Sequence, residues 1–284
     1  MTVQTFPITG PINLQCRFGF GSLTVRAEDG LSEASVELTA RDPESRILDS
    51  TTVAMHGPTL AVAGPRPNGG LLDLPLFGRK HSERDAVDIA VTVPSGTAMK
   101  IASFAADITV HGRVGGADIA GGASTSQFGH VDGDLRLRAG TGPIRIERVS
   151  GSTVVRSGSA DIQIGYAGGP VEIAFGSGSL DVGTAADAVK MRSGSGGATI
   201  AAAYGDVELT TGSGAFSIGL PAGQQARLDI VTGRGQLHTD MPVEQRRLAD
   251  PASDRAPLTI RARTGNGDVT VRRAEPAASQ SAAS

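Results

Sequence analysis

The chain has 284 residues, enough to bury a substantial core as one large domain or two smaller ones. Glycine is frequent at 39 residues while aromatics make up only 4% and tryptophan is absent, which suits many short strands joined by tight turns. The formal net charge of −3 gives no field that would draw in nucleic acid or an anionic membrane, and the single cysteine, Cys16, leaves no internal disulfide or thiolate zinc site.

Residues 1–63 alternate as strands do, in INLQCRF, SLTVRA, ASVELTA and TLAVAG, with Gly, Pro and Asp between them. Cys16 lies in the first of these runs and reads as a small core residue. The opening MTVQTFPITGPINLQCRF lacks the basic start and apolar run of a secretory signal, and no apolar stretch reaches the ~18 residues that a spanning helix needs. A cytoplasmic protein is the expectation, with the cell surface left open. This first region is expected to be an N-terminal β region that caps the rest, since a bare sheet end invites pairing with other chains.

Residues 64–85 interrupt the pattern with GPRPNGGLLDLPLFGRKHSERD. Prolines and glycines rule out a long regular element, while Leu72, Leu74 and Phe77 form an apolar knot beside basic residues. Two readings stand: a loop that covers one end of the structure, or a docking site for a partner.

From residue 86 to 272 the chain repeats. Glycines at 140, 158, 176, 194 and 212 are eighteen residues apart without an insertion. Counted from residue 104, the seventh position of successive units is Val110, Phe128, Ile146, Ile164, Val182, Ile200 and Ile218. The sixteenth is Ile119, Leu137, Val155, Ile173, Met191 and Leu209, failing only at Arg227, and the sixth is polar throughout. Apolar beside polar means half-buried strands, and a constant unit length stacks them in parallel ladders. Nothing recurs at helical spacing. The fold expected is all-β: a single-stranded β-solenoid, or β-helix, with eighteen-residue coils and two strands per coil, the Gly-x-Gly pairs turning its corners. The register ends after Gly212. An insert loop is expected at 241–257 and a disordered tail at 273–284.

Catalytic and cofactor motifs are missing. The Gly-x-Gly pairs lead into strands, so they are turn residues rather than phosphate cradles, and neither a P-loop nor a G-x-S-x-G elbow occurs. A calcium ladder would need an Asp in nearly every turn; Asp118, Asp134, Asp206 and Asp268 qualify, but Ser152, Pro170 and Ala188 stand in the intervening turns. His111 and His130 have no third ligand beside them, and Glu172, Asp181 and Glu208 are scattered rather than paired. No cofactor and no metal are expected. The textured outward face carries Arg136, Arg138, Arg156, Lys190 and Arg192, with Glu172 and Glu208 among them. Stacked arginines repel unless something anionic lies between them, so this face reads either as a salt-bridged surface or as a site for a glycan or an acidic strip on a partner.

Serial Ser/Thr-Gly-Ser/Asn-Gly-x-aliphatic turns (SGSADIQI, FGSGSLDV, SGSGGATI, TGSGAFSI, TGNGDVTV), together with VDIAVTVPSG at 87–96, resemble the bacterial β-strand-repeat putative adhesin family, over roughly residues 15–272. The resemblance implies a Gly-rich β-solenoid and a non-enzymatic, adhesin-like or scaffolding role, with an unidentified protein or glycan as partner and no active-site residues to transfer. Two other functions are weighed against it: a cytoskeleton-like protein that self-associates through its ends, and, less favoured, a carbohydrate-active enzyme.

Overall fold

The computed structural model describes residues 1–64, 85–123, 125–240 and 257–274. Leu72, Leu74 and Phe77, and all of the expected insert loop except Pro257, lie outside the described residues, as does the expected tail beyond Ala274.

Alternating polar and apolar residues give strands from the start: β1 (Thr2–Pro7), β2 (Asn13–Glu28), β3 (Glu33–Ala40), β4 (Thr52–His56) and β5 (Thr59–Ala63). The series resumes with β6 (Ala86–Pro94), β7 (Ala98–Val114), β8 (Gly116–Ala123), β9 (Ser126–Val131), β10 (Leu135–Thr141) and β11 (Ile144–Val149). Three long strands follow: β12 (Thr153–Ala167), β13 (Val171–Ala185) and β14 (Val189–Ala203). The remainder are β15 (Val207–Ser213), β16 (Phe216–Leu220), β17 (Ala226–Arg234), β18 (Leu237–Thr239), β19 (Leu258–Asn266) and β20 (Val269–Arg273). All belong to one hydrogen-bonded sheet.

The eighteen-residue spacing is the register of the parallel ladders. Ile164 lies opposite Ile146 on one side and Val182 on the other, and Val155 lies between Leu137 and Ile173. Each of these six side chains is at most 2% exposed, so the two apolar columns form the interior. Burial of such columns is the main favourable term holding the strands together.

The expected single-stranded β-solenoid with two short strands per coil does not form. The parallel strands close into a six-stranded β-barrel, with further strands outside it. The difference lies in the glycines. Gly158, Gly176 and Gly194 were expected to turn corners between strands, yet they lie inside β12, β13 and β14. A side chain at Gly176 would come 2.6 Å from the Gly158 carbonyl oxygen, so the glycine serves close backbone approach and lets a continuous strand bend. Fifteen strand residues and one three-residue turn, such as 168–170, then fill each unit, and a ladder that bends without breaking can close.

Both ends of the sheet depart from chain order. At the first end, β2 lies between β6 and β7, while β1, β3 and β4 add antiparallel to the outside through β3–β6 and β4–β5. At the other end, β19 sits between β15 and β17, and β20 between β16 and β18. The sixteenth-position column therefore continues from Leu209 to Ala262 rather than failing at Arg227. Among the described residues no helix is long and apolar enough to cross a membrane.

Three substitutions test this packing. Ile164→Asp puts an unpaired charge into a column where the native side chain is 1% exposed, at a cost on the order of 4 kcal/mol or more, whereas Ile164→Val should cost about 1 kcal/mol. Gly178→Ala must accept φ +127° and a Cβ pressed on the Ala160 carbonyl, so it should also melt well below wild type. Thermal unfolding followed by circular dichroism reads all three; an unchanged midpoint for Ile164→Asp would remove Ile164 from the core.

Candidate functional site

The strand of each unit between its turn and its glycine carries two outward positions, and the ladders turn these into two rows with different chemistry. The first row runs Lys100, Asp118, Arg136, Val154, Glu172, Lys190, Glu208, Arg261, Asp229 on successive strands. Its charges alternate and compensate one another: Lys190 Nζ is 3.6 Å from Glu208 Oε2, and Arg261 Nε is 3.9 Å from Asp229 Oδ2. These are exposed pairs of small energetic weight, but they leave little net field.

The second row, two residues further along each strand, runs Ala120, Arg138, Arg156, Ala174, Arg192, Thr210, Arg263, Val231. It holds four arginines and no acid. Arg138 reaches back to Asp118 at 3.5 Å, and Arg192 to Glu208 at 3.9 Å, an acid that Lys190 already engages. Arg156 and Arg263 have no ion-pair or hydrogen-bond partner among the described residues. Each arginine opens the same local sequence: RAGT at 138–141, RSGS at 156–159, RSGS at 192–195 and RTGN at 263–266. An exposed guanidinium is thus followed two residues on by an exposed glycine, and three residues on by a hydroxyl or amide.

A shallow open cavity of about 600 Å³ lies on this row, between Arg156 and Arg192. Ala174 stands between the two arginines and lines it with the largely buried Phe175. Ser157, whose Oγ donates to the Gly140 carbonyl oxygen, and Ser193, whose Oγ bonds Thr211 Oγ1, line it as well. The arrangement offers two forked cations either side of a small apolar floor, with hydroxyls alongside. It can hold an anion by paired, charge-assisted hydrogen bonds.

The sequence-derived candidates are thereby divided. Arg138, Arg156 and Arg192 share one row, whereas Arg136 and Lys190 belong to the self-compensating one. Arg263 was missed because its strand is out of chain order in the sheet; its RTGN, matching the two RSGS segments, is the signal that could have found it. Glu172 and Glu208 do not form a carboxylate pair, since Lys190 stands between them in the row. His111 pairs with Arg26, and His130 with Arg113 and Arg148, across a register shift that separates the two histidines.

The turn aspartates have a different task. Asp134 Oδ1 accepts hydrogen bonds from Ser152 Oγ at 2.7 Å and Ser152 N–H at 2.9 Å, and these hold its carboxyl below the usual aspartate range. Asp206 accepts from Thr259 N–H at 2.7 Å and Asp268 from Gln236 N–H at 2.8 Å. Each carboxylate tethers its turn to the neighbouring one.

No family model matches this chain, and no curated protein does. Solved structures resemble it loosely. A putative adhesin from Parabacteroides merdae overlaps at a TM-score of 0.39 with 12% identity, covering 95% of both chains. A putative lipid binding protein from Parabacteroides distasonis overlaps at 0.37 with 10% identity, over 96% of this chain and 97% of the other. A putative adhesin from Bacteroides fragilis overlaps at 0.32 with 11% identity, over 95% and 96%. Overlaps this loose establish neither a shared fold nor a shared ligand.

Cys16 is the chain's one thiol, and burial pushes its pKa up to about 12. It should therefore stay unmodified by Ellman's reagent in the native protein and release one equivalent of thiol per chain in denaturant. Stoichiometric reaction without denaturant would place Cys16 at the surface.

Proposed function

We propose that this protein is a non-enzymatic, adhesin-like binding protein that presents its arginine row to an anionic partner. The observation that carries this reading is the recurrence of Arg-x-Gly-Ser/Thr/Asn on four strands of one face, with no acid in the row. Like charges gathered in one row, on neighbouring strands at Arg138 and Arg156 and on alternate strands beyond, raise the energy of the folded state, and an anion laid along them relieves it. The neighbouring row shows the alternative that this sequence uses elsewhere, in which lysine and glutamate compensate each other.

The test is surface plasmon resonance of the full chain over immobilised polyanions: heparin, poly-L-glutamate and an alternating glucuronate–N-acetylglucosamine polymer. Substituting Arg156, Arg192 and Arg263 together by Gln should weaken binding at least about tenfold and flatten its salt dependence. Arg145→Gln, in a row with Gln163 and Asp181, should change little. Glu208→Gln should tighten binding, because it frees Arg192 from a competing carboxylate. The exposed positions keep the fold unaffected, which circular dichroism checks. Unchanged binding by the triple variant would overturn the assignment.

A further inference from the structure

We infer that the anion read by the arginine row is a linear acidic polysaccharide bearing one carboxylate on every second sugar. The inference rests on the proposed anionic partner and adds its chemical class. Its basis is spacing. Arg156, Arg192 and Arg263 occupy alternate strands, with Ala174 and Thr210 between them. Neighbouring strands lie about 4.8 Å apart, so these cations recur about every 9.6 Å across the sheet. Arg138, one strand before Arg156, falls outside that period and reaches back to Asp118 at 3.5 Å, while within the period Arg192 reaches Glu208 at the longer distance of 3.9 Å. An extended β-linked disaccharide has nearly this repeat length. A polymer alternating a uronate with an uncharged sugar would place one carboxylate at each arginine and a neutral ring over each intervening residue.

The ground between the arginines suits such a ring. Ala174 puts only a methyl group into the gap, and the surface between the arginines is mostly apolar, as is one face of a pyranose. Ser157 and Ser193 line the same cavity with their hydroxyls engaged by the Gly140 carbonyl and Thr211 Oγ1, and the exposed Ser195 and Asn266 that follow the glycines offer partners for ring hydroxyls. A carboxylate and a guanidinium meet as a two-bonded fork, which gives orientation as well as attraction. A planar anionic membrane fits less well. It would press on the adjoining row too, whose alternating Glu172, Lys190, Glu208, Arg261 and Asp229 offer no net attraction, whereas a chain one sugar wide can follow the arginine row alone.

Isothermal titration of the full chain with tetra-, hexa- and octasaccharides of alternating glucuronate and N-acetylglucosamine tests this. Polygalacturonate, poly-L-glutamate and oligo-dT serve as comparisons with denser or differently spaced charge. Affinity should climb from tetra- to hexasaccharide, where three carboxylates meet three arginines, and level off at the octasaccharide. Arg192→Gln, removing the central cation, should weaken the hexasaccharide about tenfold, and Ala174→Glu, which fills the gap with a like charge, should abolish binding. If polygalacturonate, poly-L-glutamate or oligo-dT binds as tightly as the alternating polymer, and the arginine variants weaken that binding, the polysaccharide class is overturned while the anionic partner stands. If none of the polymers binds, both readings fall.

Discussion

Parallel pairing of residue i with residue i+18 is the constraint on which this protein rests. Once the ladders lock, a residue type chosen at one position of a unit is projected onto its counterparts in neighbouring units. Inside, that projection yields columns of aliphatic side chains with almost no exposure. Outside, the same rule forces a decision about charge. Identical ionised residues on adjacent strands would face one another at about 4.8 Å, so the sequence must alternate sign, insert a small residue, or accept repulsion. The two outward rows embody different answers. One alternates lysine, glutamate and arginine; the other separates most of its arginines by Ala174 and Thr210 and contains no acid.

The interior columns were readable without coordinates, because apolar and polar positions alternate at fixed offsets from each glycine. Even the one apparent failure, Arg227, marks a true feature: β17 is not the neighbour of β15, and Ala262 takes that rung. The closure of the barrel was not readable. Whether Gly158 or Gly176 ends a strand or bends it depends on how near the carbonyl of the adjoining strand lies, and nothing local encodes that distance. The surface was half legible. Arg156 and Arg192 stand out in the sequence, but separating them from Arg136 and Lys190 requires the strand phase, and adding Arg263 requires the order of strands in space.

The turns show how modest local chemistry supports this regularity. Serine, threonine and glutamine backbone N–H groups that close one turn are taken up by an aspartate of the next, as at Asp134, Asp206 and Asp268. Such tethers satisfy backbone donors at the margin of the sheet while fixing neighbouring turns against each other. They give Asp134, Asp206 and Asp268 a structural part in joining the turns.

The arrangement of the last four strands bears on how the molecule is made. Among the described strands β19 and β20 come last in sequence but second from the end in the sheet, so β17 and β18 have no described ladder partner until residues 258–273 thread in beside them. A ribosome working from the first residue to the last therefore cannot finish this end by simple accretion, layer upon layer. The closing act is an intercalation, delayed until residues 258–273 have been synthesised, and it rests on pairings that are long-range in the sequence. A copy lacking residues 258–273 would carry bare ladder groups on β15 and β16 and leave β17 and β18 detached from the rest of the described sheet.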